Sequence, residues 1–235
     1  MTDSSSHSYL VIGRHAWNRR VFEQDIQHYP GTWHYASTPE EFTAQRVDSL
    51  NPRYIFVLHW SQKVPDEIVD RYECIVFHMT DVPYGRGGSP LQNLIIRGHR
   101  TTKLTAMRMS QEFDAGPIYL KADLSLEGST AEEVLIRATE LSARMIRTII
   151  ESPPSPLPQI GEPTVFKRRK PEQGNLSGAK SLQEVFDYIR MLDANGYPAA
   201  FLEYNGFRYE FHRASFYEGR VVADVTITSI QHEET

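Results

Sequence analysis

The chain has 235 residues, 40% of them hydrophobic and 23% charged, with 25 Lys and Arg against 30 Asp and Glu for a net charge of −5. Those values suit one sizeable globular domain plus a small appendage. They argue against a protein that draws its affinity from neutralising many phosphates, although a local basic patch stays compatible with them. A single cysteine, Cys74, excludes a disulfide framework.

The stretch Met1-Thr2-Asp3-Ser4-Ser5-Ser6-His7 has no basic region followed by an apolar run, and no later segment reaches the length of a membrane span. A reducing cytoplasm is therefore the expected compartment, with no membrane partner. Ser8 to Ile12 reads as the first strand, and Gly13-Arg14-His15 lies at its end, ahead of a helix over Trp17 to Gln27. In an open α/β sheet that position faces the ligand crevice, so Arg14 and His15 are candidates to touch an anionic substrate as well as solvated loop residues. Trp33 to Ala36 forms a short second strand. Thr38, Pro39 and Glu41 then read as N-cap, first helical position and capping box of a helix. Tyr54 to Leu58 is a buried strand running into His59-Trp60-Ser61, where Trp60 either stacks on a flat ring or caps the sheet's edge.

Cys74 to Phe77 is an apolar run of the inner-strand type, and His78 sits where it emerges. The loop from Met79 to Pro90 contains Gly85-Arg86-Gly87-Gly88, whose glycines let a ligand approach the backbone, and Pro90 opens a helix from Leu91 to Arg97. Strands over Thr101 to Met109 and Ile118 to Asp123 flank a turn containing Phe113-Asp114-Ala115-Gly116. Thr130 to Glu151 is the longest helix, capped by Ser129 or Thr130 and assigned to packing. The prolines of 152–158 stiffen a linker, residues 152–165, between an N-terminal catalytic domain, 1–151, and a small C-terminal subdomain, 166–235. Beyond it Lys167-Arg168-Arg169-Lys170 is the one dense basic run, either a solvated face or a grip on a diphosphate through Arg168 and Arg169. A helix over Leu182 to Leu192 and strands at Ala200 to Tyr204, Phe207 to His212 and Arg220 to Ile227 complete the chain, the last able to pair across a homodimer. No metal-ligand spacing is present among the nine histidines.

The order His78, Pro83, Gly87 or Gly88, Pro90 and Phe113-Asp114-Ala115-Gly116 resembles the formyltransferases that use 10-formyltetrahydrofolate. That family carries an Asn-x-His-x-x-x-x-Pro loop and a later Leu-Asp-x-Gly turn. The resemblance implies a Rossmann-like α/β sheet with helices on both faces, followed by a small α+β subdomain. It implies that His78 and Asp114 are catalytic, His78 hydrogen-bonding the oxyanion of an acyl transfer and Asp114 orienting His78 and helping to take the amine's proton. It places the folate against His59, Trp60 and Ser61 on one side and Met109, Ser110 and Phe113 on the other, with Arg14, Arg86, Gly87, Arg168 and Arg169 toward the acceptor and no metal. The family's asparagine falls on Val76, which cannot donate a hydrogen bond. Another polar group (Thr80, Asn93 or His59) replaces it, or backbone N–H groups suffice, or the enzyme is impaired.

For the acceptor, Met79-Thr80-Asp81 and the glycine loop resemble sugar N-formyltransferases of pseudaminic-acid-type loci. The expected partner is thus a UDP-linked 4-amino-4,6-dideoxy sugar of a surface-glycan pathway, with nucleic acid disfavoured by the charge balance and the short C-terminus. Methionyl-tRNA or a carrier-bound amino acid is the alternative acceptor. A folate- or nucleotide-binding protein without turnover is the alternative of another class.

Overall fold

The computed structural model describes residues 7–230, so the leader-free reading of residues 1–6 lies outside the described part. In chain order the elements are β1 (Ser8–Gly13), α1 (Ala16–Gln24), β2 (Thr32–Ala36), α2 (Ala44–Leu50), β3 (Tyr54–Leu58), α3 (Asp66–Arg71), β4 (Cys74–His78), β5 (Tyr84–Gly87), α4 (Pro90–Ile96), β6 (Thr101–Arg108), β7 (Ile118–Ser125), α5 (Ala131–Glu151), β8 (Thr164–Phe166), α6 (Leu182–Arg190), β9 (Ala200–Tyr204), β10 (Phe207–Tyr217) and β11 (Arg220–Ser229). No helix among the described residues is long and apolar enough to cross a membrane.

Two compact units emerge from the contacts: residues 1–87, 102–124 and 136–165 form the first, and 88–101, 125–135 and 166–235 the second. The expected boundaries at 151 and 166 follow chain order, whereas the contacts group residues differently. The proline-rich segment 152–165 clusters with the first unit, and the segments 88–101 and 125–135 with the second.

The first unit is an α/β layer on a six-stranded sheet of order β2-β1-β3-β4-β6-β7. Its strands β1, β3 and β4 are near-continuous apolar runs, as strands covered on both faces must be, and they pair in parallel. β6 turns the sheet antiparallel, setting Ile75 opposite Arg108 and His78 opposite Thr105. From β1 the chain passes to β2 on one side and then to β3 on the other, so the strand order reverses beside β1 and opens a crevice at the carboxyl ends of β1 and β3. Arg14, His59 and His78 stand at, or one residue beyond, the carboxyl ends of β1, β3 and β4.

Leu10, Ile12, Val57, Ile68 and Cys74 pack into one apolar cluster, each large side chain contributing about 1.5–3 kcal/mol by leaving water. Burial pushes the Cys74 thiol up to about 12, with Glu73 adding to it. It is an inert core residue, as its place in an apolar run implies.

Helix α5 begins as its sequence requires: the Thr130 hydroxyl accepts the Glu133 N–H at 3.1 Å, and the Glu133 carboxylate accepts the Ser129 N–H at 2.8 Å. Its apolar stripe, Val134, Leu135, Ala138, Met145 and Ile149, is buried. The second capping pattern does not start a helix. Glu41 accepts the Ser37 N–H at 2.7 Å and Thr38 caps the Glu41 N–H at 3.3 Å, but this closes a turn, and α2 starts later with Thr43 as its cap. Strands β5 and β8, which pair as a two-stranded sheet, fall where only loop was expected.

Within the second unit, β11-β10-β9 form an antiparallel sheet. Its first hairpin turns on Asn205 and Gly206 at φ +51° and +80°, the left-handed pair that a tight hairpin demands.

Candidate active site

β4 ends on His78, a residue only 7% exposed. Its Nε2 lies 2.8 Å from the Gly85 carbonyl, which only accepts, so Nε2 carries a hydrogen. The other ring nitrogen, Nδ1, lies 3.6 Å from Asp114 Oδ1. Asp114 Oδ2 accepts the Gly87 N–H at 2.9 Å. The glycine loop therefore meets the aspartate turn through its backbone, as a loop with free N–H groups can.

The turn holds Asp114 in the left-handed region at φ +53°, a conformation aspartate tolerates better than most side chains. Two residues on, only glycine fits: a Cβ on Gly116 would stand 1.8 Å from the Arg108 carbonyl oxygen. Behind the turn lies Gln159, whose Nε2 donates to the carbonyls of Asp114 at 2.8 Å and Gly116 at 2.9 Å. Its Oε1 accepts from Arg86 Nε at 3.0 Å and Nη2 at 2.8 Å. Arg86 completes its contacts on Glu112 at 3.2 Å.

Arg86 was placed toward an anionic acceptor, but most of its donors are committed to Gln159 and Glu112, and it acts as a brace within the first unit. Thr80 was a candidate for the missing asparagine; it is fully buried and donates to the Gly85 carbonyl at 3.2 Å. Asn93 was a second, with His59 the third, and its amide donates inside the second unit to the carbonyls of Gly88, Ser89 and Lys167, each at 3.0 Å. Both donors are consumed. Val76 packs against the apolar cluster.

Of the residues expected to line the folate, Trp60 and Met109 pack against that same cluster and so occupy one region of the first unit. Trp60 meets Phe42 edge-on, and its Nε1 is buried without a partner among the described residues. Ser61 is exposed, the Ser110 hydroxyl donates to the Glu112 carbonyl at 2.8 Å, and Phe113 is 71% exposed. His59 turns inward instead. Its Nδ1 takes the Asn18 amide at 3.3 Å, and burial, reinforced by His15, lowers its pKa to about 4. Asn18 is fully buried and also donates to Thr139 at 3.1 Å, while its Oδ1 accepts the His15 N–H at 3.1 Å. Neither Asn18 nor Gln159 figures among the sequence candidates. Asn18 had a local signal, a polar side chain three residues after His15 at the helix start; Gln159 had none.

Arg14 is exposed beyond β1. In the second unit Lys167, Arg168 and Lys170 are exposed, while Arg169 donates to the Gln173 carbonyl at 2.7 Å and lies over the Tyr188 ring. Gly88 lets this run approach, since a Cβ there would stand 2.6 Å from that of Arg168.

Residues 13–150 match the family model described as formyl transferase, and residues 171–228 match one described as the C-terminal domain of methionyl-tRNA formyltransferase. The methionyl-tRNA formyltransferase of Thermodesulfovibrio yellowstonii is 28% identical over 153 residues, 62% of this chain and 50% of that protein. The chain spans about half the length of the first curated relatives it matches. A solved structure named methionyl-tRNA formyltransferase from Clostridium thermocellum is 42% identical and superposes with a TM-score of 0.89, covering 95% of this chain and 99% of that one. A 4-N formyltransferase from Francisella tularensis, 17% identical with a TM-score of 0.65 over 97% of this chain and 99% of that one, shares the fold alone.

These likenesses overturn the nucleotide-sugar acceptor and the exclusion of nucleic acid. The proteins this chain resembles at substantial identity carry a methionyl-tRNA name, and the sugar-type structure is distant. Net charge is a whole-chain sum and does not register that Lys167, Arg168 and Lys170 are gathered on one exposed segment.

Proposed function

The chain belongs to the formyl transferase family, and from that premise we propose that it moves the formyl group of 10-formyltetrahydrofolate to the amine of an aminoacyl-tRNA of the methionyl type. The observation that carries the reading is the meeting of His78, Asp114 and Gly87 at the end of β4, with a carboxylate held by one backbone N–H and facing an imidazole. The match of residues 171–228 to a methionyl-tRNA formyltransferase C-terminal domain supports the acceptor.

The neutral amine attacks the formyl carbon, a new N–C bond forms, and the tetrahedral adduct collapses with cleavage of the bond to N10 of the folate. The amine loses one proton and N10 gains one. Asp114, with its side chain 17% exposed against 8% for His78, is the group that meets the amine. His78, tied through Nε2 to Gly85, orients the carboxylate from behind. Trp60 and Met109 offer the apolar wall for the pterin.

The test is single-turnover formylation of methionyl-tRNA by 10-formyltetrahydrofolate, read by mass spectrometry of the released amino acid, with Asp114→Asn and His78→Gln alongside. The expected result is formyl-methionine from the native protein and a loss of about 10²-fold or more in each variant. No formyl-methionine from the native protein would sink the acceptor assignment. A second reading, folate binding without turnover, rests on Val76, which packs on the apolar cluster while Thr80 and Asn93 spend their donors on backbone carbonyls. Folate binding together with no formyl transfer to any amine selects it.

A further inference from the structure

We propose that Gln159 is a positioning residue for the reaction, setting the Asp114 carboxylate against His78; this rests on the transfer chemistry proposed above. The linker segment that carries Gln159 looked like a spacer, yet its amide closes a ring of hydrogen bonds. Asp114 Oδ2 accepts the Gly87 N–H at 2.9 Å; Gly87 is bonded to Arg86; the Arg86 guanidinium donates twice to Gln159 Oε1, at 2.8 and 3.0 Å; and Gln159 Nε2 donates back to the Asp114 carbonyl at 2.8 Å. The second Nε2 hydrogen reaches the Gly116 carbonyl at 2.9 Å. Both hydrogens and the oxygen of the amide are thus employed, which fixes its orientation and the geometry of everything it joins.

The ring has a specific consequence. Asp114 sits in a left-handed conformation that its neighbours must hold, and its Oδ1 faces His78 at 3.6 Å, longer than a hydrogen bond. A small rotation of the turn decides whether that oxygen closes on the imidazole or swings away. Gln159 controls the rotation from the carbonyl side of the turn, and through Arg86 it holds Gly87 on the carboxylate side. No aliphatic side chain and no carboxylate reproduces this: a carboxylate keeps the acceptor for Arg86 and sets oxygen against the two carbonyls.

The experiment compares Gln159→Leu, Gln159→Glu and Asp114→Asn with the double variant Gln159→Leu/Asp114→Asn, using the full chain. Gln159→Leu is expected to lower kcat about tenfold with KM for the folate unchanged, and Gln159→Glu to behave alike although its Arg86 contact survives. In the Asp114→Asn background the added Gln159→Leu is expected to change kcat by less than about twofold, because residues that act through one another are not additive. A tenfold loss in both backgrounds overturns the proposal, since a general loosening would act regardless of Asp114. Formylation is not the sole readout. In 1H–15N spectra of the His78 imidazole without substrate, Gln159→Leu is expected to shift the ring resonances and Gln159→Glu to shift them likewise. Unmoved resonances in folded variants overturn the positioning role. If the native protein transfers no formyl group, that spectrum alone decides the positioning, separately from the reaction.

Discussion

The Asn18 amide nitrogen lies 3.3 Å from His59 Nδ1, and this contact selects the protonation state of the histidine. An amide nitrogen only donates, so Nδ1 must offer a lone pair and the ring is neutral. Burial and the neighbouring His15 push the same way, lowering the His59 pKa from 6.5 to about 4.

That depression makes folding pH-dependent in a defined window. Below pH 6.5 the unfolded chain protonates this histidine while the folded protein declines the proton until about pH 4, so stability falls as pH drops through that interval. The loss attributable to His59 reaches up to about 3 kcal/mol. Urea unfolding at pH 7.0 and 4.5 should show a larger loss for the native protein than for His59→Gln, other groups contributing equally to both. Equal losses would mean that His59 titrates normally in the fold.

Asn93 separates a clamp from a catalytic donor. Its amide serves the carbonyls of Gly88, Ser89 and Lys167, and its Oδ1 accepts from Arg97 at 2.8 Å. Asn93→Leu should cost about 2–4 kcal/mol of stability, since buried acceptors lose their donor. At a temperature where the variant is fully folded, kcat should stay within about threefold of native, because no transition-state contact is removed. A stable variant with kcat reduced a hundredfold would instead make Asn93 the missing oxyanion donor.

The sheet was legible because β3 and β4 are apolar runs bounded by polar residues, and the approach of His78 and Asp114 because a strand-end histidine and a glycine turn stand at the spacing of the family they resemble. The helix expected from Thr38 was not, because the same Ser-Thr-Glu pattern that caps a helix also closes the turn at Ser37 and Glu41. Strand β5 hid behind its two glycines, which lower strand propensity and read as loop. Gln159 could not be found by any local rule, for its partners lie 43 to 73 residues away in the chain. The nucleotide-sugar acceptor was read from the short stretch Met79-Thr80-Asp81 and the glycine loop, with charge balance and a short C-terminus set against nucleic acid, and neither a few loop residues nor a whole-chain sum carries the likeness that the full chain shows.

Gly116 should be the least replaceable glycine of the aspartate turn. An alanine Cβ would meet the Arg108 carbonyl oxygen at 1.8 Å, and that atom is backbone. Gly116→Ala should therefore destabilise by more than about 3 kcal/mol, as forced backbone shifts in packed regions do. Gly178→Ala, with nothing within 4 Å, is the control and should lie within about 0.5 kcal/mol of native. Similar thermal midpoints for the two variants would show that the turn relaxes freely.

The exposed basic run gives the acceptor reading its quantitative test. If Lys167 and Arg168 neutralise tRNA phosphates, each contact releases about one counterion, and the logarithm of affinity falls with the logarithm of salt accordingly. Arg168→Ala should weaken tRNA binding and reduce that slope by about 1, and Lys167→Ala should do likewise. Arg169→Ala should leave the slope nearly unchanged, because that guanidinium is already engaged by the Gln173 carbonyl and the Tyr188 ring. Filter binding across a salt series distinguishes these cases. A slope that survives both Arg168→Ala and Lys167→Ala would place the nucleic acid elsewhere on the protein, leaving the chemistry at Asp114 untouched and the acceptor's route to it to be sought from another face.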